Sequence, residues 1–303
     1  MTFIAISLVI LSAGIHSLWN IFSKSKNPTP AFFLFASLAS TVLLSPILFL
    51  HIETLLSHFP AAVWGLLVVA GFCMALYFVS LASAYRAGDL SIAYPIVRAI
   101  PVVIVLIVVV LLGRSDQVSI QSVFGALLIV FGCFIIPLKR FSSWHYKNYL
   151  NLTCVMAFIA ALGTAGYVVV DDEALRYLRN DTNLTIDDTS LAILYACLES
   201  LITSIWLAIF VLLHQKSRLD ISQVIRINIR QAIVVGIGMS LSYTLVLIAL
   251  AFVDNVSYIV AFHRLSIPLV AALGIVILKE QPYKTKVTGI FVVLVGLVFV
   301  ALG

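Results

Sequence analysis

The sequence of 303 residues contains few charged side chains. Only 10% of its residues are Asp, Glu, Lys or Arg, whereas 62% are hydrophobic. Soluble domains have about 25% charged residues, so this composition excludes an ordinary soluble fold. The mean hydropathy of +1.15 agrees with that exclusion. The chain is therefore predicted to be an integral membrane protein.

Cysteine is also scarce, and none of the four cysteines forms the close pairs that bind zinc or carry redox chemistry. We expect no metal site, and we interpret the cysteines as packing residues. No nucleotide-binding motif occurs in the sequence, so we expect no cofactor. The net charge of +5 comes from basic residues in short loops between apolar runs. This distribution indicates membrane orientation and not nucleic-acid binding.

What fills the sequence is a succession of apolar runs of about 20 residues, the length with which an α-helix crosses a bilayer. We count ten such spans. They cover residues 3–22, 31–50, 61–84, 91–112, 120–138, 149–170, 191–213, 231–252, 256–278 and 286–302. The prediction is an all-α, polytopic membrane protein with ten transmembrane helices.

The loops that join these spans differ in charge. Odd-numbered loops carry 13 Lys and Arg residues and even-numbered loops carry three. Because cytoplasmic loops are enriched in these residues, the bias predicts cytoplasmic odd-numbered loops. The assignment of sides depends on every span being real.

The second half of the chain repeats the first. The segment from Tyr77 to Arg98 aligns with the segment from Tyr243 to Arg264 at an offset of 166 residues. The sequence GALLIVFG likewise aligns with GIFVVLVG at an offset of 164. Self-similarity over such distances is the mark of a structural repeat.

These matches predict two repeats of five spans, over residues 1–140 and 149–303. Because five is odd, the second repeat enters the bilayer inverted relative to the first. We expect the glycines that begin and end the two matched octapeptides to permit close helix packing within each half.

Two arginines lie deep inside predicted spans, at matching positions of the repeats. Arg98 is in the fourth span and Arg264 is in the ninth. A charge at the bilayer centre costs about 2.5–3.5 kcal/mol on insertion scales and so faces a wet cavity or a partner. We interpret both as anion-binding residues, because a guanidinium offers a fork of donors to a carboxylate or phosphate. The alternatives are pairing with Glu199, Asp171, Asp254 or backbone carbonyls, and a role in gating.

The chain resembles the drug/metabolite transporter superfamily, and within it the proteins with two EamA-type repeats. The segments that carry the resemblance are HSLWNIFSKSK at the end of the first span, the proline-containing segments around Pro95, Pro101 and Pro268, and LKEQPYKTKVTGIFVVLVGLVFVALG near residue 303. The resemblance covers essentially the whole chain. It implies a ten-helix secondary transporter built from inverted repeats.

One feature of such repeats is a glutamate at the end of the fourth helix, ahead of a helix that starts with glycine. Glu280 and Gly289 follow this pattern in the second half. The first half departs from it, with Gly113 and Arg114 in the corresponding place. Whatever the glutamate does is therefore not duplicated.

The resemblance also implies that spans 1, 3, 4, 6, 8 and 9 surround a central cavity and that span 7 is peripheral. Polar residues at helical spacing fall on those six spans. By the same resemblance Glu199, in span 7, is expected to be a structural carboxyl. The candidate substrate-binding residues are Arg98, Arg264, Tyr94, His263, Tyr77, Tyr243, His16, Asn20, Trp19 and Tyr167.

The prolines and histidines in the spans allow two interpretations each. Pro95, Pro101 and Pro268 remove backbone hydrogen bonds and either act as hinges or shape a static cavity; we favour hinges. His16 and His263 either couple transport to protons or hydrogen-bond across helices.

The sequence therefore favours a secondary transporter and not an enzyme, located in the cell inner (plasma) membrane. Its partners are the lipid bilayer and a small solute that bears a carboxylate or other anionic group. The solute, the direction of transport, a coupled proton or other ion, and a monomeric or homodimeric state are left open. A channel and a membrane-embedded lipid-modifying enzyme are the alternatives. For the enzyme the nearest acidic cluster, residues 171–173, lacks a supporting histidine or cysteine.

Overall fold

A computed structural model of the chain describes residues 3–53, 59–111, 119–142, 149–179, 186–250 and 266–302. Regular secondary structure in these ranges is helical. The α-helices are α1 (Phe3–Ser25), α2 (Pro30–Leu44), α3 (Pro46–Leu50), α4 (Ala61–Ala87), α5 (Leu90–Leu111), α6 (Ile120–Ile135), α7 (Leu152–Arg179), α8 (Asp188–Leu213), α9 (Gln215–Gln223), α10 (Ile229–Leu250), α11 (Ser266–Ile277) and α12 (Lys284–Leu302). A helix lies at each of the ten predicted spans, and the all-α membrane fold is confirmed. The second span is divided into α2 and α3 at Pro46.

Several of these helices are long and apolar enough to cross a bilayer. Within the described residues they are Pro30–Leu50, Ala61–Ala87, Leu152–Arg179, Asp188–Leu213 and Gln215–Val246. Large apolar side chains such as Leu213, Val276 and Phe291 are exposed on the outside of the bundle. Exposed apolar side chains on long apolar helices fit contact with a membrane.

Polar caps define the starts of several helices. The side-chain oxygens of Thr29, Ser119 and Asp187 accept hydrogen bonds from backbone N–H groups in the first turns of α2, α6 and α8. Such caps satisfy donors that have no partner inside the helix. The donated hydrogen bond from the backbone N–H of Ser190 lowers the pKa of Asp187 below its ordinary value.

Helix packing follows a two-fold pattern. If each helix is exchanged for its counterpart five spans away, the α4–α7 contact maps onto α10–α1, α4–α8 onto α10–α2, and α5–α7 onto α11–α1. The contacts α2–α8, α5–α11 and α6–α12 map onto themselves. Two repeats related by a two-fold axis would give this pairing. The boundaries of the repeats, at 1–140 and 149–303, stay a prediction.

The contact between α6 and α12 depends on four glycines. A Cβ atom added to Gly132 would lie 2.8 Å from the carbonyl oxygen of Gly289, and one added to Gly296 would lie 2.6 Å from that of Gly125. The two backbones therefore touch, as small residues permit in membrane helices. The expectation that these glycines pack within each half is wrong, because the glycine face of each half turns toward its counterpart in the other.

Candidate functional site

A cavity of about 340 Å³ lies between helices of both halves. Pockets that bind small organic molecules measure about 300–1,000 Å³, so the cavity has the size of a small solute site. It is lined from α1, α2, α4, α5, α7, α8 and α10. Its polar lining comprises His16, Trp19, Ser37, Ser40, Tyr77, Arg98, Thr164, Tyr167, Asp171, Glu199, Ser200, Thr203, Ser240, Ser242 and Tyr243.

Much of the predicted site converges on this cavity. The predicted residues that line it are Arg98, Tyr77, Tyr243, His16, Trp19 and Tyr167. Tyr77 and Tyr243 are equivalent positions of the two repeats, so the internal similarity identifies two walls of one chamber. His263 and Arg264 lie outside the described residues.

Two other predicted residues lie behind the cavity wall. The amide of Asn20 donates to the carbonyl oxygen of His16 and accepts from the Tyr85 hydroxyl at 2.6 Å, and so ties α1 to α4. The Tyr94 hydroxyl donates to Ser266 at 3.2 Å and ties α5 to α11. Both residues are buried, and their polar groups hold the helices that carry the lining residues.

Arg98 supplies a positive charge to the cavity. It lies on α5 between Pro95 and Pro101, both of which are inside the helix. Only 8% of the side chain is exposed. The hydroxyl groups of Tyr94, Tyr167 and Tyr77 are within electrostatic range of its guanidinium. An arginine stays charged at any physiological pH, so this wall of the cavity is permanently cationic.

The predicted hinge residues are all found in helices. Pro95 and Pro101 are in α5, and Pro268 is in α11. Their action as hinges stays a prediction.

A second wall of the cavity is acidic, and sequence reasoning missed the part that Glu199 contributes. Asp171 on α7 and Glu199 on α8 both line the cavity, with Thr203 one turn beyond Glu199. The expectation that span 7 is peripheral is therefore wrong. Ala196, Glu199 and Thr203 occur at the spacing of one helix face, and this pattern was the available signal.

Serines and threonines join α2, α8 and α10 beside the acidic wall. Ser204 donates to Ser37 at 3.0 Å, Thr41 donates to Ser200 at 3.0 Å, and Ser40 forms a hydrogen bond with Ser240. Hydrogen bonds between hydroxyls satisfy buried polar groups without adding charge. This part of the lining is neutral.

Far from the cavity, four charged residues close one end of the bundle. We call Lys24, Asp89, Glu280 and Lys286 the polar clamp. The carboxylate of Glu280 accepts hydrogen bonds from the backbone N–H groups of Leu90 and Ser91 and from the Ser91 hydroxyl. It thereby caps the first turn of α5, where a negative charge is favoured.

The lysines of the polar clamp complete its contacts. The Nζ of Lys286 lies 2.8 Å from a carboxylate oxygen of Asp89, and the Lys286 side chain has no exposed surface. Lys24 donates to the carbonyl oxygens of Tyr85 and Gly88 at the end of α4. These contacts bring together the first, third and ninth loops, which all have odd numbers. Alternating spans require this shared location, and the side of the membrane that these loops face stays a prediction.

The cavity lies toward the opposite end of the bundle. Arg98 is eight residues beyond Leu90, the first residue of α5, which is about 12 Å along the helix at 1.5 Å per residue. The lining extends to Leu44, the last residue of α2, and to Val246, near the end of α10. The clamped end and the cavity are thus separated along the helices.

The acidic, histidine and cysteine side chains are spread through the bundle. Within the described ranges, no three His, Cys, Asp or Glu residues lie close enough together to hold a metal ion. The polar groups of the cavity are instead suited to hydrogen bonds and ion pairs.

Known proteins are similar to this chain in the sequence of its first half and in its fold. Residues 3–138 match the model of the EamA-like transporter family. A solved structure titled "Crystal structure of protein" superposes with a TM-score of 0.56 and 16% identity, over 97% of this chain and 95% of that chain. At that identity the likeness shows the fold alone. No curated protein sequence matches the chain.

Proposed function

We propose that this chain, whose residues 3–138 match the model of the EamA-like transporter family, is a membrane transporter that acts as a secondary carrier for a small organic solute. The solute carries a carboxylate or another anionic group and moves by alternating access. The cavity between the two halves is its binding site. Arg98 is the residue that binds the anionic group.

The observation that carries this proposal is the position of Arg98. Its side chain is buried in the middle of a membrane helix and lines a cavity of solute size. The cost of placing a charge there is offset when the group meets an opposite charge in a wet cavity. The planar fork of donors fits a carboxylate or phosphate. Arg264 and His263 are proposed as further contacts from the second repeat.

The arrangement of the helices supports a carrier over a channel. The polar clamp joins the halves at one end, and the cavity lies toward the other. A channel requires a continuous path when it conducts, whereas a carrier presents its site to one side at a time. Pro95, Pro101 and Pro268 are proposed as hinges for the exchange between the two states.

Residues 171–173 do not form the compact acidic site that a lipid-modifying enzyme would use. Asp171 lines the cavity, whereas Asp172 and Glu173 are exposed on the other face of α7. Glu173 forms an ion pair with Arg176. Because these three carboxyls lie on different faces of α7, their arrangement supports a transporter without catalytic groups.

The proposed location is the cell inner (plasma) membrane, with the odd-numbered loops in the cytoplasm. The proposed partners are the lipid bilayer and the small-molecule solute, with no nucleic acid. Because the net positive charge lies in the loops, anionic lipid headgroups on the cytoplasmic side would hold this orientation.

The test is transport by the purified protein in liposomes, with labelled amino acids, organic anions and cationic drugs as the panel. Arg98→Ala and Arg264→Ala are each expected to reduce uptake of the active anionic solute by about 10- to 100-fold, since a hydrogen bond to a charged group contributes about 1.5–3 kcal/mol. Arg98→Lys is expected to lie between, because lysine keeps the charge and loses the fork.

The matched control is Arg86→Ala, which removes an exposed arginine at the end of α4. It should transport at the parental rate. Size-exclusion profiles of each variant establish that the protein is folded. Normal transport by both Arg98→Ala and Arg264→Ala, or activity toward cations alone, would contradict the proposal.

A further inference from the structure

The acidic wall contains a buried carboxyl oxygen that the proposed anion site does not use. The Glu199 side chain is 5% exposed, and its Oε1 atom has no hydrogen-bond partner among the described residues. The Thr203 hydroxyl, one helical turn away, also has none within those residues. Both residues line the cavity. Buried polar atoms are nearly always satisfied, so these two groups are available to a proton or a ligand that enters the cavity.

A second carboxyl lies close to the first. Asp171 also lines the cavity and accepts a hydrogen bond from the Tyr195 hydroxyl at 2.9 Å. The charges of Asp171 and Glu199 act on each other. Two like charges in a site of low dielectric cost free energy unless a cation or proton offsets one of them.

Among the described residues that line the cavity, Arg98 is the one lysine or arginine that could offset a negative charge. Within the described residues, neither Glu199 nor Asp171 forms an ion pair with a lysine, arginine or histidine. Helix α2 presents only hydroxyl groups here. The titratable groups within electrostatic range of Asp171 and Glu199 are Cys73 on α4, Tyr195 on α8 and Tyr243 on α10. His16 on α1, Arg98 on α5 and Tyr167 on α7 line the same cavity.

We propose that Glu199, together with Asp171, binds a proton that is exchanged in each transport cycle, so that solute movement is coupled to proton movement. The Glu199 carboxylate takes a proton from water in the cavity when the cavity opens to one side. It returns the proton to water when the cavity opens to the other. Only an O–H bond forms and breaks. This inference rests on the proposed carrier function.

A proton fits the site better than a metal ion does. Among the described residues, Asp171 and Glu199 form no group with a third His, Cys, Asp or Glu that could hold a metal ion. A proton needs a single carboxyl oxygen, whereas a metal ion needs several ligands at defined distances. The Oε1 atom of Glu199, which has no hydrogen-bond partner among the described residues, meets the requirement for a proton.

The experiment uses liposomes that contain the purified full chain, a labelled solute found with the panel above, and a pH-sensitive dye inside. An imposed solute gradient is expected to move protons through the parental protein. Glu199→Gln is expected to lower that proton flux more than tenfold. It should change solute counterflow, which needs no net proton movement, by less than twofold. Asp171→Asn is expected to lower the proton flux as well.

Asp172→Asn is the matched control, because it removes an exposed carboxyl next to Asp171 on the same helix. It should leave both fluxes at parental values. Loss of counterflow along with proton flux in a folded Glu199→Gln protein would overturn the inference, since it would show that Glu199 takes part in solute binding and not in proton transfer alone. Retained proton flux would also overturn it.

The parental protein alone separates this inference from the proposed function. Arg98-dependent solute flux without proton movement would overturn the coupling and leave the carrier in place. An absence of flux for every anionic solute in the panel would instead contradict the carrier. Should Glu199→Gln not fold, the parental proton flux and Asp171→Asn still decide the question.

Discussion

Gly132→Ala is expected to destabilise the folded protein, although alanine is the better helix former. The added Cβ would lie 2.8 Å from the Gly289 carbonyl oxygen and 2.9 Å from the backbone nitrogen of Val293. Backbone atoms of a packed helix cannot move aside cheaply, and overpacking costs about 1–3 kcal/mol. Gly132→Leu should prevent close contact of α6 and α12 altogether. The measurement is thermal unfolding of the purified protein in detergent.

The control for this prediction has the opposite expected sign. Gly65 lies on α4 with nothing within 4 Å of an added Cβ. Gly65→Ala should therefore raise the stability by about 0.5–1 kcal/mol, because alanine has less backbone freedom to lose. If Gly132→Ala and Gly65→Ala have the same effect, the two glycine faces do not touch.

Glu280→Ala is the second change with a large expected effect. It removes the acceptor of two backbone N–H groups at the start of α5 and leaves those donors buried. Hydrogen bonds to charged groups contribute about 1.5–3 kcal/mol each, so we expect a loss of about 3 kcal/mol or more in the free energy of unfolding. Glu280→Gln keeps an acceptor oxygen and should lose less. Denaturant unfolding in detergent measures both.

Glu173→Ala provides the comparison for an exposed glutamate. Glu173 pairs with Arg176 at the surface of α7, and such pairs contribute about 0–1 kcal/mol. A similar loss of stability in Glu173→Ala and Glu280→Ala would show that the cap on α5 contributes no more to the free energy of unfolding than a surface ion pair does.

The fold was predictable because the bilayer imposes a simple rule on sequence. A helix that crosses it must be apolar for about 20 residues, and each predicted span contains a helix. The direction in which the glycine faces turn was not predictable from one repeat at a time. A glycine pattern shows that a helix has a close neighbour, but it does not show which helix that neighbour is.

The cavity residues were predictable where the repeats carry matching polar positions, as with Tyr77 and Tyr243. Glu199 was misjudged because a resemblance assigned its helix to the periphery. Its own sequence context pointed the other way, since an acid in the middle of an apolar span is as costly as an arginine there. Lys286 was placed at the start of the tenth span, and only the structure shows that its side chain is buried and pairs with Asp89.

The polar clamp has a consequence for the rate of turnover. In the proposed cycle, solute can exit past the clamp only after Glu280 leaves the first turn of α5 and Lys286 separates from Asp89. Water replaces these contacts, but each must first be broken. The slow step of the cycle is then release of the clamp. A vacant carrier would dwell with its site facing the even-numbered loops, and warming would accelerate its return more than it accelerates capture.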